Sequence, residues 1–390
     1  MMFMLRNLVY SICSKILIPI VFRILEQFMK RDDTIVLLGS GFNRFTDNSK
    51  YLFLYLIQNC KNIRAYYVVA SYDEYVMLKD QKLPVVHKHS LENMKLALKS
   101  GYIFITHNID DVFPSVRKDA TVVNLWHGTP IKKIGYDSKV ENKWIRNKRL
   151  TFRKIPYVLW DYVIVSHESL IERQMNSFRK KRESFLPMGL PRNDILFEVK
   201  RDDKVNQEYK LKFANKYNFP VESELILYVP TFRPYKQGKA EFIRLISTFN
   251  EVYRGSNKRL LVRLHPHDFN LINNNIWGNT VVIVNDYPDV QELLAVSDIM
   301  ITDYSSIVFD YSILERPVYL FPYDYEQYIK MVELYSDYNE VFKGYYISSD
   351  ADDIVRNLCD SHYYKNPNFH NNYNCANASR NITKYFNLSR

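Results

Sequence analysis

Cysteine is scarce in this 390-residue chain: Cys13, Cys60, Cys359 and Cys375 are the whole set. Four thiols so scattered build neither a disulfide framework nor a Cys-x-x-Cys zinc site, and a reduced, cytoplasmic setting is expected. Long apolar runs are missing too, and nothing approaches the roughly 20 residues that a membrane-spanning helix needs. The common nucleotide fingerprints are also absent. No Gly-x-x-x-x-Gly-Lys-Ser/Thr loop occurs, and no Gly-x-Gly-x-x-Gly follows a strand. These absences argue against a P-loop NTPase and a dehydrogenase. A Gly-x-Ser-x-Gly elbow is lacking as well, which removes support for a serine hydrolase.

What is present is the composition of a folded protein, 47% hydrophobic and 25% charged, in a length that suits two domains. Lys and Arg outnumber Asp and Glu by 53 to 43, a formal charge of +10. That surplus favours an acidic partner: a nucleotide, a polyphosphate, nucleic acid or an anionic lipid surface. At the N-terminus, Leu5, Leu8, Ile12 and Ile16 share one face of a potential helix, with Asn7, Ser11 and Lys15 on another. Such a helix suits a membrane surface and equally suits packing on the domain behind it, with a bend at Pro19. No small-x-small cleavage site follows, so it is not a signal peptide.

Beyond residue 31 the chain alternates β-rich runs with helical stretches. Strands are expected in 34–40, 65–71, 102–108, 121–127 and 162–167, then again in 225–232, 259–266, 280–286, 298–304 and 317–323. Continuous apolar runs of this length indicate parallel strands buried on both faces, and two sets indicate two doubly wound α/β domains. The expected division is an amphipathic segment over 1–30, a first domain over 31–200 and a second over 201–390. The polar stretch 201–212 is the expected boundary, and one helix closes the chain.

Ligands of open α/β sheets bind beyond the carboxyl ends of the strands, so the strand exits deserve most weight. The first informative exit is Trp126-His127-Gly128-Thr129-Pro130. Gly128 permits a tight turn, and Thr129-Pro130 suits a helix N-cap followed by N1, which would set an imidazole beside an anion-binding helix end. The alternative is a capped core histidine. The second exit, Arg263-Leu264-His265-Pro266-His267-Asp268, has too few neighbours at ligand spacing for a zinc centre, and His265 better suits a nucleotide phosphate. At the third, Thr302-Asp303-Tyr304-Ser305-Ser306, hydroxyls and free N–H groups at a helix start would form a phosphate cradle without glycines. Arg192, in Gly189-Leu190-Pro191-Arg192-Asn193-Asp194, and Arg233, in Pro230-Thr231-Phe232-Arg233, are candidate phosphate partners. Asp110-Asp111 also follows a strand and is expected to be a solvated pair rather than a metal site.

Taken together, WHGTPIKKIG, GLPRND, YVPTFRPY, RLHPHD and DVQELLAVSDIMITDYSSIVFDYSILERPVYLFPYD resemble the CDP-glycerol glycerophosphotransferase family, which includes teichoic acid primases and polymerases and related capsule polymerases. The resemblance covers roughly residues 100–330. It implies a GT-B architecture, two Rossmann-like domains facing a cleft, with the nucleotide held mainly by the C-terminal one and the acceptor on the side of the other. It implies that His127 is the catalytic base and His265 a second essential histidine. Gly128 and Thr129 belong to the first motif, and Thr302, Asp303, Ser305 and Ser306 fall on the nucleotide-diphosphate segment. Arg192 and Arg233 match motif positions. The chain is short for a family polymerase, which leans toward a primase-like or short-chain transferase.

The implied donor is CDP-glycerol, the acceptor a hydroxyl of a lipid-linked saccharide or growing polymer, and the place the inner face of the cell membrane. No cofactor follows with certainty, and divalent-cation dependence stays open. The basic stretches Lys143–Lys154 and Arg179–Arg182 are candidates for facing an anionic lipid leaflet or a polyanionic product. Rival expectations are a CDP-ribitol or nucleotide-sugar donor on the same architecture, and a non-catalytic basic binding protein. The last leaves two strand-exit histidines unexplained and lacks a nucleic-acid-binding motif, so no nucleic-acid partner is expected.

Overall fold

The computed structural model describes residues 17–41, 43–150, 156–233, 239–264, 279–359 and 374–389. His265, the proposed helix over Leu5–Ile16 and part of the basic stretch after Lys143 lie outside them. The chain divides into two compact units. One comprises Met1–His127, Gly135–Asp194 and Cys375–Arg390; the other comprises Gly128–Ile134 and Ile195–Asn374.

The first unit is built on a parallel seven-stranded sheet of order β3-β2-β1-β4-β5-β6-β7. Its strands are β1 (Asp32–Leu38), β2 (Arg64–Val69), β3 (Val85–His87), β4 (Ser100–Ile105), β5 (Thr121–Asn124), β6 (Tyr162–Val165) and β7 (Phe185–Pro187). Central strands are apolar on both faces because helices cover both sides. Val36, Leu38, Phe104 and Val123 meet Leu52, Phe53 and Leu56 of the helix Asp47–Asn59 in one core.

The second unit carries a parallel six-stranded sheet of order β10-β9-β8-β11-β12-β13. These strands are β8 (Glu224–Val229), β9 (Lys258–Val262), β10 (Val281–Ile283), β11 (Ile299–Thr302), β12 (Val318–Leu320) and β13 (Tyr346–Ile347). Counted from its first strand, the second sheet runs 3-2-1-4-5-6, the doubly wound order, and the first runs the same way with a seventh strand beyond the sixth. The order reverses between β1 and β4 in one unit and between β8 and β11 in the other. Those are the two places where neighbouring strand exits diverge and leave a crevice.

All ten expected strands are found; each ends before its expected last residue, five (β1, β2, β4, β8 and β9) begin one or two residues earlier than expected, and three short strands (β3, β7 and β13) join them at sheet edges. Three expectations need correcting. Residues 201–212 are not a linker, because the helix Asp203–Tyr217 occupies them, capped by the Asp202 side chain. Phe213 packs 5.0 Å from Tyr287, and Lys210 pairs with Asp298 at 2.6 Å, so the helix belongs to the second unit. The closing helix, Ala378–Tyr385, belongs with the first unit rather than the C-terminal half. Asp194 accepts hydrogen bonds from the N–H groups of Ala378 and Ser379, while Ile382 and Phe386 enter the first core. Finally, Gly128–Ile134 counts with the second unit, where Lys132 bridges Leu334.

The helix Ile18–Glu26 carries Pro19 in its first turn, where proline is tolerated; the segment expected to precede the bend at Pro19 lies outside the described residues. Phe22 is buried beside Phe113. Leu17, Ile20, Val21, Ile24 and Phe28 stay exposed. Among the described residues no helix is long and apolar enough to cross a membrane.

Candidate active site

In the first unit the crevice between β1 and β4 gathers His107, His127, Asp47, Asn48 and Arg192. Two residues here hold left-handed backbone that non-glycine residues rarely adopt: Asp47, with φ of 63°, and Trp126, with φ of 56°. Gly128, with φ of 140°, follows at once, in a region that only glycine enters readily. Such outliers persist where the surroundings over-determine them. Here Asn48, fully buried, donates to the carbonyls of Leu125 (3.3 Å) and Trp126 (2.8 Å) and accepts from the backbone N–H of Arg192 at 3.1 Å. Arg192 Nη1 donates to Asp47 Oδ1 at 2.9 Å, an ion pair whose side chains are 11% and 7% exposed. The start of the helix Asp47–Asn59 therefore ties the His127 turn to the Gly189–Asp194 turn.

The His127 ring is braced on both faces. His107 stacks on it at 4.3 Å with 5° between the planes, and Trp126 lies at 4.3 Å and 30°. Nδ1 of His127 stands 3.3 Å from the carbonyl oxygen of Thr106. A carbonyl only accepts, so Nδ1 carries the proton and Nε2 holds the lone pair. Among the described residues Nε2 has no hydrogen-bond partner. Burial and then the neighbouring His107 pull the imidazole down to about 4, against the opposing pull of the Asp47 carboxylate. At neutral pH this ring is an uncharged proton acceptor.

The loop that carries His107 is fixed by Asp111, which accepts from the N–H groups of Thr106 (2.9 Å), His107 (2.8 Å) and Asn108 (3.4 Å). Asp111 is thus a buried loop anchor, 3% exposed, and not half of a solvated pair. Gly41, at the exit of β1, has no alternative, since a Cβ there would overlap the His107 ring.

In the second unit the β8/β11 crevice collects the other expected residues, with a different outcome. Asp303, 1% exposed, accepts from the N–H of Thr231 (3.0 Å), the N–H of Tyr304 (2.6 Å) and Arg233 Nη1 (2.6 Å). Arg233 also grips Asp324 through Nε (2.7 Å) and Nη2 (2.9 Å), and its Nη1 donates to the Thr231 carbonyl. Tyr304, Tyr323 and Tyr328 surround the guanidinium at 4.9, 4.9 and 5.3 Å. An arginine spent this way is a strut, so the expectation that Arg233 meets a phosphate does not fit its surroundings. Thr302 is also committed, its buried hydroxyl donating to the Val229 carbonyl at 2.7 Å. Ser305 and Ser306 remain half-buried at the start of the short helix Ile307–Tyr311, and the Ser305 hydroxyl accepts from Ile307 N–H at 3.4 Å.

The expected helix after His127 is not there. Thr129 is buried, and the chain runs extended past Pro130. Ile131 O accepts from Tyr335 N–H at 3.0 Å, and Lys133 N–H donates to Glu333 O at 2.8 Å, so cross-chain pairing overrides the Thr-Pro helix signal. His127 therefore gains no helix dipole. Arg263 likewise spends its guanidinium on backbone carbonyls, including Val284 O at 3.0 Å. Among the described residues no group of three or more His, Cys, Asp or Glu could hold a metal ion.

Comparison with known proteins adds the remaining piece. The chain is 30% identical over 326 residues to the teichoic acid poly(glycerol phosphate) polymerase of Staphylococcus epidermidis, a match covering 80% of this chain and 43% of that protein. It is 28% identical over 309 residues to the teichoic acid glycerol-phosphate transferase of Staphylococcus aureus, covering 77% of each. Among solved structures, a variant of the wall teichoic acid polymerase TagF superposes with a TM-score of 0.79 at 24% identity, over 98% of this chain and 95% of that one. The model of the CDP-Glycerol:Poly(glycerophosphate) glycerophosphotransferase family matches residues 20–385, and the chain belongs to that family of transferases.

Proposed function

We propose that this protein transfers glycerol phosphate from CDP-glycerol to a hydroxyl of a lipid-linked saccharide or a growing polyol-phosphate polymer, releasing CMP. Family membership supports the donor. The catalytic part rests on the His127 ring, clamped between His107 and Trp126 with Nδ1 on the Thr106 carbonyl.

His127 Nε2 takes the proton of the acceptor hydroxyl as its oxygen bonds to the β-phosphorus. The bond from that phosphorus to the bridging oxygen breaks, and CMP leaves with the oxygen. No covalent enzyme intermediate is involved. Positioning and charge stabilisation dominate such reactions, while a general base contributes about 10²–10⁴-fold. In this reading the two units form a GT-B pair, the first serving the acceptor and the second the nucleotide, with Ser305 and Ser306 near the diphosphate and His265 as a further phosphate-side group.

The enzyme would work at the inner face of the cell membrane. Exposed apolar side chains on the helix Ile18–Glu26 support this, as do Val140 and Trp144 among Lys139, Lys143 and Arg146 on the helix Lys139–Leu150. Apolar anchors amid lysine and arginine suit an anionic leaflet.

The test measures CMP after supplying CDP-glycerol or CDP-ribitol, with and without a membrane extract. Acceptor-dependent release from CDP-glycerol is expected. Release from CDP-ribitol alone would replace the donor, and release from neither would end the polyol-phosphate reading.

A further inference from the structure

Lys132 has no task in the chemistry above. It sits in the segment Gly128–Ile134, whose backbone is pinned to 333–335 by the Lys133–Glu333 and Tyr335–Ile131 hydrogen bonds and the Lys132–Leu334 bridge. The side chain is therefore aimed by paired backbone rather than carried on a free loop.

Its ammonium lies 5.4 Å over the ring of Tyr328, which stacks at 3.8 Å on Tyr304, beside the Asp303–Arg233–Asp324 cluster. Within that cluster both carboxylates are already taken by Arg233. Among the described residues Lys132 makes no hydrogen bond and no ion pair. Burial draws its pKa below the ordinary lysine value, opposed by the Asp303 carboxylate. A cation taken out of water without an anion is costly, and a site that keeps one has a use for it. The same strand exit offers the half-buried hydroxyl residues Ser305 and Ser306. Lysine is a point-charge phosphate binder that needs no bidentate geometry.

We propose that Lys132 binds the diphosphate of the donor nucleotide, filling the place that Arg233 cannot. This rests on the reading of the protein as a nucleoside-diphosphate-dependent transferase. The neighbouring Lys133 stands 3.9 Å from Glu333 and serves as the control.

The experiment is calorimetric titration of the full chain with CDP, UDP and cytidine. It compares wild type, Lys132→Met, Lys132→Arg and Lys133→Met, each checked by thermal melting. Methionine keeps an unbranched apolar stem over Tyr328 and removes the charge. A lost charge-assisted contact should weaken CDP binding about 10- to 100-fold in Lys132→Met. Cytidine binding should be unchanged, Lys132→Arg should recover most of the loss, and Lys133→Met should match wild type. Unaltered CDP affinity in Lys132→Met, with or without a lower melting temperature, would show that Lys132 only balances the cluster's charge and would overturn the proposal. Binding of UDP in place of CDP, weakened by Lys132→Met, would uphold Lys132 and overturn the cytidine donor. Wild type binding neither nucleotide would overturn both.

Discussion

The two units share one strand order, yet their switch-point crevices are furnished in opposite ways. In the first, buried polar groups hold one another, and among the described residues His127 Nε2 has no hydrogen-bond partner: Asp111 holds the His107 loop, and Asn48 holds the His127 turn. In the second, the most conspicuous cation, Arg233, is closed off by two carboxylates, a carbonyl and three tyrosine rings. A residue's chemistry is thus decided less by its type than by how many of its bonds the fold has already used. A strand-exit arginine looks like a phosphate ligand until its donors are counted.

That contrast can be broken at several points. The largest effect on stability is expected from Arg233→Met, which leaves Asp303 and Asp324 buried without their cation. Breaking a buried pair of this kind costs about 3–5 kcal/mol, to be read from urea unfolding. A variant as stable as wild type but deficient in CDP binding would instead restore Arg233 as a phosphate ligand.

Asn48→Ala should do less to stability and more to turnover. It frees the carbonyls of Leu125 and Trp126 and the N–H of Arg192, at about 1–3 kcal/mol. CMP turnover should fall while CDP affinity in the other unit holds. Equal losses in both would mean that the variant is simply unfolding.

The smallest effect concerns pH. A base acts when deprotonated, so kcat/KM should fall as pH drops through the His127 value of about 4. His107→Phe keeps a ring against His127 and removes the imidazole whose electrostatic effect lowers the His127 pKa. The acid limb should then move to higher pH but stay below the ordinary histidine range, because burial, the larger cause, remains, with little change in rate at neutral pH. An unmoved limb would show that His107 acts by stacking alone, or that another group sets the profile.

How far these arrangements show in the sequence follows from the range of the interactions. Ten strands are visible because each is a run of apolar residues buried on both faces. β3, β7 and β13 escape because two or three residues make no pattern. The helix Asp203–Tyr217 escapes because its surface is charged and its anchors, Asp286, Tyr287 and Asp298, come from far along the chain. His127 and Arg192 stand out as motif residues at strand exits. Asp47, Asn48 and His107 do not, because each lies at the exit of a strand whose neighbours only the 3-2-1-4-5-6 order reveals. The polar run Thr46-Asp47-Asn48-Ser49 after the first strand is a local signal that could have flagged Asp47 and Asn48. Thr129-Pro130 misleads for the converse reason, since a sound local helix signal loses to pairing with residues 333–335.

The most direct measurement pairs two readouts on His127→Ala: CDP binding by calorimetry and CMP release from CDP-glycerol in the presence of acceptor. Nucleotide affinity close to wild type, with turnover lowered about 10²–10⁴-fold, is the expected result, because the proposed function gives the ring to proton transfer and the nucleotide to the second unit. Turnover near the wild-type rate in a variant that still binds CDP would contradict the assignment of His127 as the base.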